Sequence, residues 1–112
     1  MDRSILLSIK KLLGLGEDYD CFDLDVMMHI NSALSILQQI GVGPKEGFFI
    51  HDASATWEDF LGEDSGRLES VITYVYIKVK LIFDPPTSSS AVDSMERTAS
   101  EYEWRLNSAT DY

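Results

Sequence analysis

Residues 67–86, RLESVITYVYIKVKLIFDPP, form the most apolar stretch of the chain, and a pair of prolines ends it. Two periodicities fit this stretch. Its apolar residues alternate with Lys78 and Lys80 as in a strand, and a second apolar set recurs on one face of a helix. β-branched and aromatic residues favour the strand. An unbroken run of about 17 residues is far longer than the usual strand of about five or six, which favours the helix. We therefore predict a central, buried helix about 25 Å long. Its helical face consists of Leu68, Val71, Ile72, Val75, Val79, Ile82 and Phe83.

Both ends of this central helix have residues that suit helix termini. Asp64 or Ser65 can act as its N-cap. Lys78 and Lys80 complement the negative end of the helix dipole. The sequence Asp-Pro-Pro at 84–86 cannot continue a helix, so we expect the chain to turn there.

The segment before Gly14 predicts a short amphipathic helix of about three turns. Two lysines make its polar face too weakly basic for a membrane surface, so we expect the apolar face to pack in the core. The apolar face consists of Ile5, Leu6, Ile9, Leu12 and Leu13, and the opposite face of Ser4, Ser8, Lys10 and Lys11.

Residues 17–25, EDYDCFDLD, place five acids in nine positions. Their spacing does not fit a calcium-binding EF-hand, because no glycine occupies the turn position and no terminal glutamate follows. We predict that Asp23 caps the next helix and that the other acids stabilise its positive end. Cys21, the single cysteine, is expected to be a packed thiol near this helix start.

The second helix is predicted from about Leu24 to Ile40, with Gly41 ending it. His29 has no partner at metal-ligand spacing, so no metal site is predicted. The inward stripe consists of Val26, Ile30, Ala33, Leu37 and Ile40, flanked by Met27 and Leu34.

Residues 46–64 are irregular, and a short β-hairpin fits the 47–56 region. The sequence Thr-Trp-Glu-Asp at 56–59 is a variant of the capping box and predicts one helical turn through Leu61. We expect Trp57 and Phe60 to close one end of a helix bundle.

The last helix is predicted to begin at one of the serines 88–90. It has an apolar seam and, on another face, charges of alternating sign every four residues. Trp104 lies off the seam, and a Trp beside arginines has the composition of a protein-interface hot spot. The alternatives are that Trp104 rests on its own helix or folds back into the core against Leu12, Leu13 or Phe83. The seam is Val92, Met95, Ala99, Tyr102 and Leu106; the charged series is Asp93, Arg97, Glu101 and Arg105; and the candidate protein-interface residues are Arg97, Glu101, Trp104 and Arg105.

The composition limits the classes of function. A net charge of −10, from 19 acidic and 9 basic residues, argues against a protein that contacts nucleic-acid phosphates. The chain contains no phosphate loop, catalytic triad pattern or HExxH motif, so we predict no enzyme activity, no catalytic residues and no cofactor. No apolar run reaches the length of a membrane span, and the lone cysteine fits a reducing, cytosolic compartment. The predicted fold is a single all-α domain over residues 1–112, a small bundle of about four helices.

Several segments together resemble a known family. They are FDLDVMMHINSALSILQQIGVGP after the acidic turn, GFFI followed by ATWEDFLG, LESVITYVYIKVKLIFDPP, and the ending MERTASEYEWRLN. In this order, over nearly the whole chain, they are similar to the small head–tail connectors, or adaptors, of tailed phages and prophages.

This resemblance implies a non-enzymatic structural protein whose copies form a ring beneath the portal. The ring would join the portal to the tail, or to a second connector protein, with DNA only passing through its lumen and no membrane involved. The protein would be in the host cytoplasm during assembly and then at the head–tail junction of the virion. The net charge motivates a rival hypothesis, an acidic DNA mimic or inhibitor that occupies a basic site on a host DNA-binding protein.

Overall fold

The computed structural model describes residues 4–62 and 65–110, without the side chains of residues 65 and 108–110. A 3₁₀ turn, Ser65–Arg67, precedes the fourth helix. Within these residues no β-strand occurs, only one isolated bridge, so the predicted all-α bundle is confirmed. The helices are α1 (Ile5–Leu12), α2 (Asp23–Gln39), α3 (Trp57–Leu61), α4 (Leu68–Phe83) and α5 (Ser89–Thr110).

Helix α4 is the centre of the bundle. It packs against α2, α5 and α1, and the prediction of a helix ending before the prolines is confirmed, although Ile82 of the predicted inward face is exposed. Val75 has no solvent exposure. Neighbouring helices cover more than one face of α4, which explains why its sequence is apolar almost all round. The buried residues of α4 are Val71, Ile72, Tyr74, Val75, Ile77 and Val79.

The two ends of α4 differ in how well the sequence predicted them. At the carboxyl end the Asp84 N–H donates to the Lys80 carbonyl at 3.0 Å. The Lys80 ammonium lies 2.9 Å from the Asp84 carboxylate, just before the prolines. At the amino end Arg67 is the N-cap without a side-chain hydrogen bond, so the predicted Ser65 cap is wrong. The other candidate cap, Asp64, lies outside the described residues.

The faces of α1 differ in part from the prediction, since Leu12 of the predicted apolar face is exposed and Lys10 of the predicted polar face is buried. Only 1% of the Lys10 side chain is exposed. Its Nζ lies 2.8 Å from the Asp23 carboxylate and donates to the Glu17 carbonyl at 3.1 Å. The loop between α1 and α2 therefore folds over Lys10, and the ammonium finds its partners there.

The same ion pair corrects the predicted cap of α2. Phe22 is the N-cap residue and makes no capping hydrogen bond through its side chain, whereas Asp23 is the first helical residue. The Asp23 carboxylate binds Lys10 instead. The predicted inward stripe is largely confirmed, since Val26, Ile30, Ala33, Leu34 and Leu37 are buried.

The hairpin that the sequence allowed at 47–56 is not formed. The Asn31 side chain of α2 bonds both the N–H and the carbonyl of Ile50, at 2.7 and 3.0 Å. Gln38 donates to the Phe48 carbonyl at 2.9 Å. Side chains of α2 thus satisfy backbone groups that a second strand would otherwise pair.

Helix α3 has the predicted capping box. The Thr56 hydroxyl accepts from the Asp59 N–H, and the Asp59 carboxylate accepts from the Thr56 N–H. Trp57 and Phe60 are buried as predicted. The Trp57 Nε1–H donates to the Ser8 hydroxyl at 3.2 Å, which ties this helical turn to α1.

Candidate protein-interaction surfaces

Helix α5 begins where the sequence predicts and packs through the predicted seam. The Ser88 hydroxyl accepts from the Ala91 N–H at 3.2 Å, so a serine caps the helix. Ala99 and Leu106 are buried, and Val92, Met95 and Tyr102 are half-buried.

A polar contact in the interior attaches α5 to α4. The fully buried Tyr74 donates its phenolic O–H to the Glu103 carboxylate at 2.9 Å. Burial, and then the hydrogen bond and charge of Glu103, raise the pKa of Tyr74 well above its usual range. The phenol therefore remains a neutral donor, and it fixes which side of α5 faces α4.

The side of α5 away from the seam carries Arg97, Glu101 and Trp104, and Arg105 lies at its edge. At about 100° per residue, Trp104 lies about 160° and Arg97 about 180° around the helix from the middle of the seam. Arg97, Glu101, Trp104 and Arg105 are all exposed, and Trp104 has 70% of its surface accessible. This degree of exposure excludes the alternative in which Trp104 belongs to the core. We refer to these four residues as the α5 surface.

The charges on the α5 surface are only partly paired. Arg105 and Glu101 form an ion pair through Nη2 and Oε1, the last step of the predicted charge series. Arg97 makes no ion pair with any residue that the structure describes. The surface thus combines an exposed indole with a guanidinium available for an external acid.

The structure reveals a second exposed surface, which the sequence analysis missed. Tyr19, Phe22 and Leu24 are exposed, and Leu24 is 73% accessible. Phe22 makes edge-to-face contacts with Tyr19 and with Phe83 at the end of α4, at centroid distances of 5.8 and 5.4 Å. Cys21 is exposed beside them, so the prediction of a packed thiol is wrong.

Acids alternate with these apolar side chains along the sequence. Glu17, Asp18, Asp20 and Asp25 are exposed, whereas Asp23 is turned inward to Lys10. We refer to the exposed side chains of residues 17–25 as the acidic surface. The apolar residues between the acids were the sequence feature that could have indicated it.

The described residues contain no group of three or more His, Cys, Asp or Glu side chains that could hold a metal ion. Of the helices in the described part of the chain, none is long and apolar enough to cross a membrane. Among the described residues, the α5 surface and the acidic surface each combine exposed aromatic side chains with charges.

Exposed aromatic side chains near charged ones have the composition of residues found at protein–protein interfaces. The comparison with protein families is more specific. A family model described as "Phage connector protein" matches residues 5–112, so the chain belongs to the phage connector protein family. The resemblance found in the sequence is thereby confirmed. No match was found among curated proteins or among solved structures.

Proposed function

We propose that the protein is a non-enzymatic head–tail connector whose copies form a closed ring between the portal and the tail side of the virion. The observation that carries this proposal is the family match over residues 5–112. The ring binds the portal on one side and a tail protein or a second connector on the other. DNA passes through its lumen, and the chain acts as one helical domain.

The α5 surface supports this function. A ring of identical subunits requires contacts between two different faces of each copy. Helix α5 uses its seam and the Tyr74–Glu103 hydrogen bond to pack on α4, so its other side is available to a neighbouring protein. Trp and Arg are enriched among residues that dominate binding energy, and Trp104, Arg97 and Arg105 are all exposed on α5.

The test is the variant Trp104→Ala, with Trp57→Ala as the matched control. Trp104 is 70% exposed, so we expect its truncation to leave the melting temperature nearly unchanged and to abolish the joining of heads to tails. Trp57 is 3% exposed, and its truncation should cost about 3–5 kcal/mol in folding stability. Head–tail joining is measured by mixing purified heads, tails and the variant and counting infectious particles.

The parts of the proposal fail separately. Unchanged joining by Trp104→Ala would overturn the role of the α5 surface but not the connector function. Affinity capture from infected cells that returns a host DNA-binding enzyme, and neither portal nor tail protein, would support the acidic inhibitor instead. The net charge of −10 motivates that rival.

A further inference from the structure

We propose that the acidic surface of one copy binds the α5 surface of the next copy, so that these two surfaces form a single repeated head-to-tail contact. The inference rests on the proposed ring and assigns the residues on both sides of its subunit interface.

Charge complementarity is the first argument. The acidic surface exposes Glu17, Asp18, Asp20 and Asp25 within nine residues. These four carboxylates create a negative potential, so a cation that approaches them is attracted. On the α5 surface, Arg97 has no ion-pair partner among the described residues, and Arg105 is exposed and paired with Glu101. A guanidinium can bind a carboxylate through two parallel hydrogen bonds, which gives the contact a defined geometry.

The apolar side chains of the two surfaces match as well. Trp104 and Leu24 are among the most exposed large apolar side chains described, at 70% and 73%. Residues that dominate one side of an interface tend to pair with such residues on the other side. Phe22 packs on Phe83 and Tyr19 packs on Phe22, so this half of the contact is formed before binding. A preformed surface binds with a smaller loss of conformational entropy.

The positions of the surfaces allow such a contact to repeat. Helix α4 packs mainly against α2 and α5. The acidic surface lies at the start of α2 and the end of α4, whereas the α5 surface faces away from α4. The two surfaces share no residue, so one copy can use both at once. When two different surfaces bind each other, an open row of subunits keeps one unused surface of each kind at its two ends. The row closes into a ring when the rotation between neighbouring subunits permits.

Cross-linking through the native Cys21 tests this contact directly, because Cys21 is exposed within the acidic surface. The partner is the double variant Cys21→Ser/Glu101→Cys, whose single thiol lies on the α5 surface. A short bismaleimide is added to each protein alone and to their mixture, both free and bound to purified heads. We expect cross-linked dimers only in the mixture. The variant Glu101→Cys that keeps Cys21 should give a ladder of multimers.

The matched control is Cys21→Ser/Ser35→Cys, which places the thiol on an exposed position of α2 outside both surfaces. It should give no dimer with the parent chain. Dimers formed by the parent chain alone through Cys21 would indicate contact between two identical surfaces and would overturn the inference. Binding to heads without mixed dimers would also overturn it.

A second experiment uses two separate variants, Leu24→Asp and Trp104→Ala. Both changes are at exposed positions and leave the core intact. Each variant alone should fail to form rings on heads. Their mixture should form one-to-one dimers and nothing larger, because each supplies one intact surface. If Leu24→Asp forms rings as well as the parent, the inference fails and the proposed connector function stands. If the parent itself neither binds heads nor joins them to tails, the proposed function fails.

Discussion

Gly43, in the turn after α2, lies so close to the ring of Phe60 that no side chain would fit at this position. Its φ is +95°, and a Cβ at this position would lie 2.5 Å from Cε1 of Phe60. The Phe60 ring is also held by Phe48 at a centroid distance of 5.3 Å, so it has little freedom to move aside. The absence of a side chain at Gly43 is therefore what allows α3 to close against the turn.

The first prediction compares Gly43→Ala with Gly14→Ala. Gly14 has a similar φ of +83° but no atom within 4 Å of the added Cβ. The backbone conformation alone should cost about 1–2 kcal/mol at Gly14, and overpacking against Phe60 should add about 1–3 kcal/mol at Gly43. Urea unfolding measures both losses. Equal losses would show that Phe60 moves without cost.

The second prediction concerns Val75, which is fully buried in α4. Val75→Asp places a charge in an apolar site without a partner and should lower the free energy of unfolding by about 3 kcal/mol or more. Ile82→Asp is the control, because Ile82 belongs to the same helix but is 58% exposed. A melting temperature of Val75→Asp within a few degrees of the control would contradict the central position of α4.

At the scale of the elements, the ion pair between Lys10 and Asp23 connects the end of α1 to the start of α2. Its two partners differ in exposure, 1% for the Lys10 side chain and 27% for Asp23. Removing the carboxylate leaves a buried ammonium with only the Glu17 carbonyl, whereas removing the ammonium leaves a carboxylate whose Oδ1 is buried but whose side chain is partly exposed.

The third prediction follows from this asymmetry. Asp23→Ala should cost about 3 kcal/mol, and Lys10→Met clearly less, because methionine fills the buried site without a charge. The exposed pair Lys80–Asp84 is the control, and Asp84→Asn should change stability by no more than about 1 kcal/mol. Chemical unfolding of the three variants decides the order. Equal costs for the Lys10 and Asp23 variants would contradict the argument.

The fourth prediction concerns the Tyr74–Glu103 contact between α4 and α5. The pKa of Tyr74 is raised in the folded protein, first by burial and then by Glu103, above the value of about 10 expected in the unfolded chain. Its contribution to stability is therefore fully present below pH of about 10 and is lost as the pH rises above that value. Tyr74→Phe should make the decline in stability at alkaline pH less steep. Urea unfolding from pH 8 to 11 measures how the free energy of unfolding changes with pH. An unchanged slope in Tyr74→Phe would contradict the contribution assigned to Tyr74.

Helices that are defined by residues within their own segment were predictable from the sequence. The length of the apolar run and the prolines after it define α4, and Thr56 and Asp59 define the start of α3. The failures involve distant partners. The segment around Ile50 is held by Asn31, 19 residues earlier, and Lys10 is buried because the following loop returns over it. Periodicity within one segment contains no information about such contacts.

At the scale of the whole molecule, the two candidate interaction surfaces differ in how far the sequence predicts them. The α5 surface could be predicted because the period of a single helix places Trp104 and Arg97 opposite its seam. The acidic surface was indicated only by the apolar residues between its acids, because the contact of Phe22 with Phe83 joins segments that are far apart in the chain. The role of either surface in assembly is a proposal that the cross-linking experiment addresses.

The two tryptophans occupy opposite environments, since Trp57 is 3% exposed and Trp104 is 70% exposed. Indole fluorescence shifts to shorter wavelength away from water, and a soluble quencher such as acrylamide reaches only an accessible ring. The emission of Trp104→Phe therefore reports on Trp57 and the folding of the bundle alone. In Trp57→Phe, loss of quenching at Trp104 reports on a neighbour covering α5. The protein thus contains separate optical reporters for folding and for assembly, without any added dye.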